Sequence, residues 1–336
     1  MNLERGESEM ALENTHYGHA RIGEKLKDCH SIFFIGIGGI SMSALAQISR
    51  SLGYDVGGSD RSENAQTAHL KEMGISVFPS HDAKNIEDYD AVVYTVAIGA
   101  DNPEYLAAKA AGKPLLSRAD YLGYLMVSYH DRIGVAGMHG KSSCTAMCAQ
   151  IFLAATDATV LCGAELPLLG GSTCNIGNEQ EHFVFEACEY MDSFLDFYPT
   201  TAVILNTELD HVDYFENLER MCRSYAAFGS KVGQDGTVIY NADDSVCAAT
   251  VQACEGRRVS FGIEADADYR AADIRTEGGR QSFSLYVRGQ NKGRISLKVP
   301  GRHNVYNALA AAAAAAEQGI CTRTIAKGLE RFGGVH

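Results

Sequence analysis

The chain has 336 residues, enough for two domains, and with 46% hydrophobic and 21% charged residues each domain can bury a full core. The formal net charge of −13 argues against a nucleic-acid-binding protein, which would need a basic face. Uncharged apolar runs stay well short of the ~20 residues of a membrane span, so no membrane association is expected.

Residues 1–28 are polar and charged without clear periodicity, and we expect them to be partly disordered, with a short helix around residues 21–27. They contain no apolar core of the kind found in secretion signals. The ten cysteines form no Cys-x-x-Cys pair and no zinc-like cluster, and several lie in apolar runs. We interpret them as reduced thiols of a cytoplasmic protein.

Residues 29–130 alternate short apolar runs with helical segments, which predicts a Rossmann-like α/β domain. The apolar run 31–37 leads through a glycine-rich turn into an Ala- and Leu-rich helix that ends near residue 52, and the next strand closes on Asp60. Further strands are predicted at 75–78, 90–96 and 114–116.

The glycine-rich turn of this domain predicts a nucleotide site. It reads Gly-Ile-Gly-Gly-Ile-Ser over residues 36–41, and Asp60 stands where a ribose would be bound. The third glycine of the dinucleotide fingerprint is missing, so a nucleotide other than NAD is favoured. The candidate residues are Gly38, Gly39, Ile40, Ser41 and Asp60.

A second glycine-rich turn follows the apolar run 132–136 and precedes a helix over 142–153. Strand, Gly-x-x-Gly-Lys-Ser loop and helix together predict a phosphate site of the P-loop type, although Val135 replaces the usual first glycine. The alternative is an ordinary turn with an incidental lysine. The candidate residues are Gly137, Met138, His139, Gly140, Lys141, Ser142 and Ser143.

Two further strands of the second domain end in polar side chains. The strand beginning at His182 carries Glu186 and Glu189. The strand 202–206 is followed by Thr-Glu-Leu-Asp-His-Val-Asp, which contains His211. Since ligands of open α/β sheets bind outside the carboxyl ends of strands, Ser142, Glu189 and His211 are candidate magnesium ligands. A surface histidine is the alternative for His211.

The remainder of the second domain is richer in strand signals. Runs at 237–240, 257–261 and 282–287 predict a β extension appended to a parallel sheet, followed by a long helix over 308–318. An N-cap role would account for Asn304 at the start of that helix, but not for Asn307.

Five motifs in order give the chain a resemblance to a known family. They are Gly-Ile-Gly-Gly-Ile-Ser-Met-Ser at 36–43, Gly-Met-His-Gly-Lys-Ser at 137–142, Glu-Ala-Cys-Glu-Tyr at 186–190, Asn-Thr-Glu-Leu-Asp-His at 206–211 and Gly-Arg-His-Asn-Val-Tyr-Asn at 301–307. Over residues 29–335 the chain resembles the Mur ligases of peptidoglycan synthesis. The resemblance implies ATP-dependent addition of L-alanine to UDP-N-acetylmuramate through an acyl phosphate.

The resemblance also implies roles for individual residues. Lys141 would hold the β- and γ-phosphates of ATP. Magnesium would be held by Ser142, Glu189 and His211. The catalytic set would be Lys141, Glu189 and His211. The family usually has threonine where this chain has Met138 and Ser142; serine keeps the hydroxyl ligand, whereas methionine does not. Adenine would be faced by Asn304 and Asn307, and the uridine diphosphate by Gly38–Ser41 and Asp60.

Family members continue into a third α/β domain. We therefore expect residues 131–332 to be the central ATP-binding domain and residues 333–336 to begin a linker. The chain would then correspond to the first two domains only, with little activity alone. Alternatives are a non-catalytic nucleotide- or UDP-sugar-binding module, a murein-peptide ligase that only substrate tests would separate, and, more remotely, a dehydrogenase. The sequence does not predict the oligomeric state.

Overall fold

The computed structural model describes residues 12–208 and 214–335. The chain divides into two compact units between Leu125 and Met126, and each unit has its own sheet. Within the described ranges, no helix is long and apolar enough to cross a membrane.

The first unit is built on a five-stranded parallel sheet with the strand order β3-β2-β1-β4-β5. Its strands are β1 (Ser31–Ile35), β2 (Asp55–Ser59), β3 (Ser76–Phe78), β4 (Ala91–Tyr94) and β5 (Leu115–Ser117). Its helices are α1 (His19–Leu26), α2 (Ile40–Ser51), α3 (Ala65–Glu72), α4 (Pro103–Ala110) and α5 (Arg118–Met126). Strand order reverses beside β1, which is where ligands bind in such sheets, and the predicted Rossmann-like fold is confirmed.

The polar N-terminal segment lies partly on this unit. Leu12 is buried, and Thr15 Oγ1 and Tyr17 N donate to the same oxygen of Asp120, at 2.7 and 2.6 Å. Helix α1 continues the segment up to residue 26. Residues 1–11 lie outside the described residues.

The second unit is built on a ten-stranded sheet with the order β15-β14-β13-β12-β11-β10-β6-β9-β7-β8. Its strands are β6 (Asp131–Ala136), β7 (Thr159–Leu161), β8 (Cys174–Asn175), β9 (His182–Glu186), β10 (Thr201–Ile204), β11 (Thr237–Asn241), β12 (Arg257–Gly262), β13 (Tyr269–Glu277), β14 (Arg280–Val287) and β15 (Gln290–Leu297). Its helices are α6 (Lys141–Ala155), α7 (Leu218–Ser230), α8 (Ser245–Thr250), α9 (Arg302–Glu317) and α10 (Thr322–Arg331).

Helices α6 and α9 pack against each other and share the core of the second unit. Every residue of α9 from Asn307 to Ala315 is buried. This helix can be buried so closely because most of these side chains are alanine methyl groups, which leave room for the neighbouring backbone. The packing brings the first turn of α9 next to the start of α6.

Two sequence predictions for this unit need correction. The runs at 237–240 and 257–261 are not part of an appended extension, because β11 and β12 pair in parallel with β10 and continue the main sheet. The antiparallel extension is β13–β15. Helix α9 begins six residues earlier than predicted, with Gly301 as the N-cap, so Asn304 lies inside the helix and is not its cap. Burial of Asn304 and Val305 overrides their modest helix propensity.

Candidate functional site

The loop Gly137–Gly140 joins the carboxyl end of β6 to the N-terminus of α6. Gly140 is left-handed, with φ 86°, and a Cβ placed there would lie 2.6 Å from Oδ1 of Asn307. The position therefore requires glycine on both backbone and packing grounds. The first turn of α6 faces out of this loop, and its N–H groups lack intrahelical partners, which makes the helix start suitable for an anion.

Two contacts fix the shape of the loop. His139 N donates to Asn206 Oδ1, and Asn206 Nδ2 donates back to His139 O, both at 2.9 Å. Met138 is buried, with Tyr225 Oη donating to its sulfur at 3.3 Å. The Met138 side chain thus supports the loop from the interior, and Asn206 ties it to the end of β10.

Lys141 and Glu189 form the charged centre of the site. The Lys141 ammonium lies 3.0 and 3.1 Å from the two carboxylate oxygens of Glu189 and donates to Gly137 O at 2.7 Å. The Lys141 side chain is 14% exposed and that of Glu189 is fully buried. The Lys141 ammonium is therefore held beside the loop, where a rotation of the side chain can bring it to a phosphate.

Glu186 is the carboxylate that contacts Ser142. Ser142 Oγ donates to Glu186 Oε1 at 3.1 Å, and the other Glu186 oxygen accepts from Gly163 N at 2.9 Å. The sequence prediction selected Glu189 as a ligand and omitted Glu186. Its position as the last residue of an apolar strand was the signal that could have identified it.

The chemistry of the oxygen donors on Ser142, Glu186 and Glu189 fits a magnesium ion. One hydroxyl and the carboxylates of Glu186 and Glu189 are hard oxygen ligands of the kind Mg²⁺ prefers. His211, the third predicted ligand, lies outside the described residues. Ser143 lies in the first turn of α6 and is partly buried.

Asn304 and Asn307 both lie in the first two turns of α9. Asn304 Nδ2 donates to Pro300 O at 2.7 Å, and Asn307 Nδ2 lies 3.5 Å from Asn304 Oδ1. Both side chains are buried, and Asn307 packs against Gly140. Asn307 thus packs the start of α9 against the loop, and Asn304 ties Asn307 to the turn before the helix.

Asp243 fixes the other side of the α9 start. It accepts from Tyr306 Oη at 2.8 Å and from three consecutive backbone N–H groups, those of residues 263–265. Burial would raise the pKa of Asp243, but these donors outweigh burial and lower it. The carboxylate is therefore a fixed anchor for α9 beside the loop.

The predicted site of the first unit lies at the turn after β1. Gly38 N donates to Asp60 Oδ2 at 2.9 Å, and Asn64 Nδ2 donates to Gly38 O at 3.0 Å. A Cβ on Gly38 would lie 2.7 Å from Thr67 Cγ2, so the turn closes only with glycine there. Gly39 is the N-cap of α2; Ile40 is exposed and Ser41 partly exposed in the first turn of that helix.

A cavity of about 390 Å³ opens beside this turn. The residues that line it include Gly36, Asp60, Arg61, His81, Ile98 and Asn102. A buried carboxylate orients His81: its Nδ1 lies 2.8 Å from Oε2 of the fully buried Glu104. The same Glu104 oxygen accepts a hydrogen bond from Ser59 Oγ at 2.6 Å. Sequence analysis did not identify His81 or Glu104, because no local motif marks them.

Comparison with known proteins identifies the relatives of both units. A family model described as "Mur ligase family, catalytic domain" matches residues 31–130, and one described as "Mur ligase middle domain" matches residues 135–315. The UDP-N-acetylmuramate–L-alanine ligase of Clostridium novyi is 40% identical over 313 residues, covering 93% of this chain and 68% of that protein. The ligase of the same name from Lachnospira eligens is 44% identical over 309 residues, covering 91% and 67%.

Two solved structures resemble the chain closely in fold. UDP-N-acetylmuramate–alanine ligase MurC from Thermotoga maritima superposes with a TM-score of 0.80 at 31% identity, covering 91% of this chain and 69% of that one. The UDP-N-acetylmuramate:L-alanyl-γ-D-glutamyl-meso-diaminopimelate ligase of Neisseria meningitides has a TM-score of 0.82 at 28% identity, covering 91% and 99%. The chain spans about two thirds of the length of the curated relatives it matches. Since one family model covers more than half of it and these relatives are at least 40% identical, the chain belongs to the Mur ligase family.

Proposed function

We propose that this chain binds ATP and UDP-N-acetylmuramate for an ATP-dependent ligase that adds L-alanine to the UDP-sugar in cytoplasmic peptidoglycan precursor synthesis. The observation that carries the proposal is the phosphate loop, in which a helix N-terminus, Lys141 and two carboxylates converge. The relatives described above, named for this reaction, supply the substrates.

The reaction has two chemical steps. The lactyl carboxylate of UDP-N-acetylmuramate attacks the γ-phosphorus of ATP, forming an acyl phosphate and releasing ADP. The amine of alanine then attacks the acyl carbon, and phosphate leaves. The first step needs charge neutralisation at the phosphates more than covalent help from the protein.

Lys141 and the first turn of α6 would supply that neutralisation. When ATP enters, the ammonium would exchange part of its contact with Glu189 for the β- and γ-phosphates. Because Gly137 O already holds the ammonium at 2.7 Å, only a small rotation is needed. Pre-placed charge of this kind stabilises a transition state without reorganisation at the moment of reaction.

Magnesium would be held by Ser142, Glu189 and the neighbouring Glu186, with His211 as the further ligand that the family pattern implies. When bound, it would offset charge on the transferring phosphates. Glu186 keeps its second oxygen on Gly163 N, which orients the carboxylate towards Ser142.

The UDP portion is assigned to the first unit. The Gly38–Gly39 turn and the start of α2, with Ile40 and Ser41, would receive the diphosphate. Asp60 and the adjoining cavity would receive the nucleoside. Asn304 and Asn307 remain candidates for the adenine contact in the second unit.

Calorimetric titration tests the proposal. The chain should bind UDP-N-acetylmuramate without magnesium and ATP with magnesium. Lys141→Met should weaken ATP binding at least tenfold without changing the affinity for UDP-N-acetylmuramate. Tight NADH binding with no response to UDP-N-acetylmuramate would overturn it.

The alternative is a murein-peptide ligase like the Neisseria enzyme. It has less support, because that enzyme is 28% identical to the chain whereas the two ligases named for L-alanine are 40% and 44% identical. It accepts the same UDP-sugar but joins a preformed peptide to it. Incubation with L-alanine in one arm and L-alanyl-γ-D-glutamyl-meso-diaminopimelate in the other, using protein that includes all residues present in the relatives, separates the two by product mass.

A further inference from the structure

A cluster of histidine and carboxylate side chains lies at the amino ends of β6 and β9, the opposite ends of these strands from the phosphate loop. His130, Asp131 and Glu181 each offer a ligand atom, and these atoms all lie within 4.8 Å of one another. The arrangement contains no residue of the proposed ATP site. Strand β6 separates the two sites by about 17 Å, at ~3.3 Å per residue.

The sheet register assembles the cluster. Asp131 and His182 are paired neighbours in the parallel β6–β9 ladder, so their side chains lie on the same face. Just before the strands, His130 N donates to Gln180 O at 2.9 Å and Asp131 N donates to Glu181 O at 2.8 Å. The backbone positions are thus fixed by main-chain bonds and do not depend on an ion.

The distances fit one transition-metal ion. His130 Nδ1 lies 3.2 Å from an Asp131 oxygen and 3.8 Å from a Glu181 oxygen. Bonds of about 2.0–2.1 Å in tetrahedral geometry place ligand atoms about 3.3–3.4 Å apart. Small side-chain rotations of the exposed His130 and Glu181 would complete such a shell.

His182 provides a second observation at this cluster, a buried nitrogen aimed at Asp131 without a hydrogen-bond partner in the described part of the chain. Its side chain is only 8% exposed, its ring packs edge-on against Phe152 at 5.4 Å, and its Nδ1 lies 3.7 Å from Asp131 Oδ2. Among the described residues, this buried nitrogen has no hydrogen-bond partner. A buried polar atom left in this way is costly, and carboxylates that ligate metals are commonly held by such a neighbour.

We propose that His130 Nδ1 and the carboxylates of Asp131 and Glu181 bind one divalent transition-metal ion, with zinc the best fit. When the ion binds, a small rotation of the Asp131 carboxylate would bring its second oxygen from 3.7 Å into hydrogen-bond distance of His182 Nδ1, which would then orient it. An imidazole ligand favours zinc, cobalt or nickel over magnesium, which prefers an all-oxygen shell. The ion joins the starts of β6 and β9, whose other ends carry the phosphate loop and Glu186, and so stabilises the second unit without entering the reaction.

The test is equilibrium dialysis of the full chain against zinc chloride, with X-ray absorption of the bound metal. We expect one equivalent with nitrogen and oxygen neighbours at about 2.0–2.1 Å and no sulfur shell at about 2.3 Å. His130→Gln and Glu181→Gln should each weaken binding at least tenfold, and His182→Phe about 10- to 100-fold. Zinc should raise the unfolding temperature of the parent and not of His130→Gln.

Glu179→Gln is the matched control, because Glu179 is exposed two residues before Glu181 and the charge change is the same. It should bind zinc as the parent does. A sulfur shell would assign the metal to the cysteines and overturn the proposal. So would unchanged affinity in His130→Gln and Glu181→Gln, or the absence of a bound equivalent in the parent.

Discussion

Replacing Lys141 by methionine should separate the structural role of this residue from its role in binding ATP. The substitution removes the cation 3.0 Å from Glu189, whose side chain is fully buried, while keeping a similar length. Breaking a buried ion pair by removing one partner costs about 3–5 kcal/mol. Lys141→Met should therefore destabilise the second unit by about that amount.

The double variant Lys141→Met/Glu189→Gln is the decisive comparison. A neutral amide in place of Glu189 removes the uncompensated buried charge, so the double variant should recover most of the lost unfolding free energy. ATP affinity should not recover. A hydrogen bond to a charged group contributes about 1.5–3 kcal/mol, which corresponds to roughly 10- to 150-fold weaker binding of Mg-ATP in Lys141→Met. The double variant should bind Mg-ATP no more tightly than Lys141→Met, because Glu189→Gln also removes a proposed magnesium ligand.

Scanning calorimetry of the second-unit transition and ATP titration supply the two readouts. Lys71→Met, which breaks the exposed pair between Lys71 and Glu63, is the control and should leave both unchanged. Unaltered ATP affinity in Lys141→Met would show that the phosphate loop is wrongly assigned. If Lys141→Met is as stable as the parent, the buried ion pair of Lys141 and Glu189 does not stabilise the second unit.

Three further predictions follow from individual contacts. Gly39→Val should fold, since a Cβ at residue 39 meets nothing closer than 3.4 Å, but titration should show that it no longer binds UDP-N-acetylmuramate. Gly38→Ala, in contrast, should disturb the turn itself. Met138→Ala should lower the unfolding free energy by about 2–5 kcal/mol in urea titration, because the side chain is buried against Tyr225. Burial would raise the pKa of Asp192, but three side-chain donors outweigh burial and lower it. The stability that Asp192 contributes is thus present at pH 7 and lost as pH falls through the lowered pKa, so the deficit of Asp192→Asn in thermal melts should shrink below about pH 4.

The parts of the fold that the sequence predicts well are those in which several local signals agree. At the phosphate loop, an apolar run, a Gly-x-x-Gly-Lys-Ser turn and an alanine-rich segment each favour the same strand–turn–helix, and the structure has β6 and α6 there. The first-unit strands likewise follow buried runs such as Ser31–Ile35. A segment is predictable when its hydrophobic pattern, its turn residues and its helix propensity all favour the same structure.

The elements that the sequence does not predict are those whose structure depends on contacts between distant segments. Strand β15 exposes its first five residues and buries only Ile295 and Leu297, so no alternating pattern identifies it; pairing with β14 holds it in place. Strands β7 and β8 have three and two residues, too few for a periodic signal. The end of an apolar strand marks Glu186 as a candidate, but only the β6–β9 register shows that it lies beside Val135, just before the loop.

The two glycine turns also differ in a way that supports the assignment of ligands to units. In each, a turn after a parallel strand leads into a helix whose first N–H groups can receive an anion. In the first unit, the residue after the N-cap Gly39 is the exposed Ile40, and a carboxylate, Asp60, accepts a turn N–H. In the second unit, the residue after the N-cap Gly140 is Lys141. A triphosphate carries more charge than a diphosphate ester and needs a fixed cation to offset it, so the turn with the lysine is the one suited to ATP. The turn without a lysine suits a diphosphate whose nucleoside and sugar contribute their own contacts in the adjoining cavity.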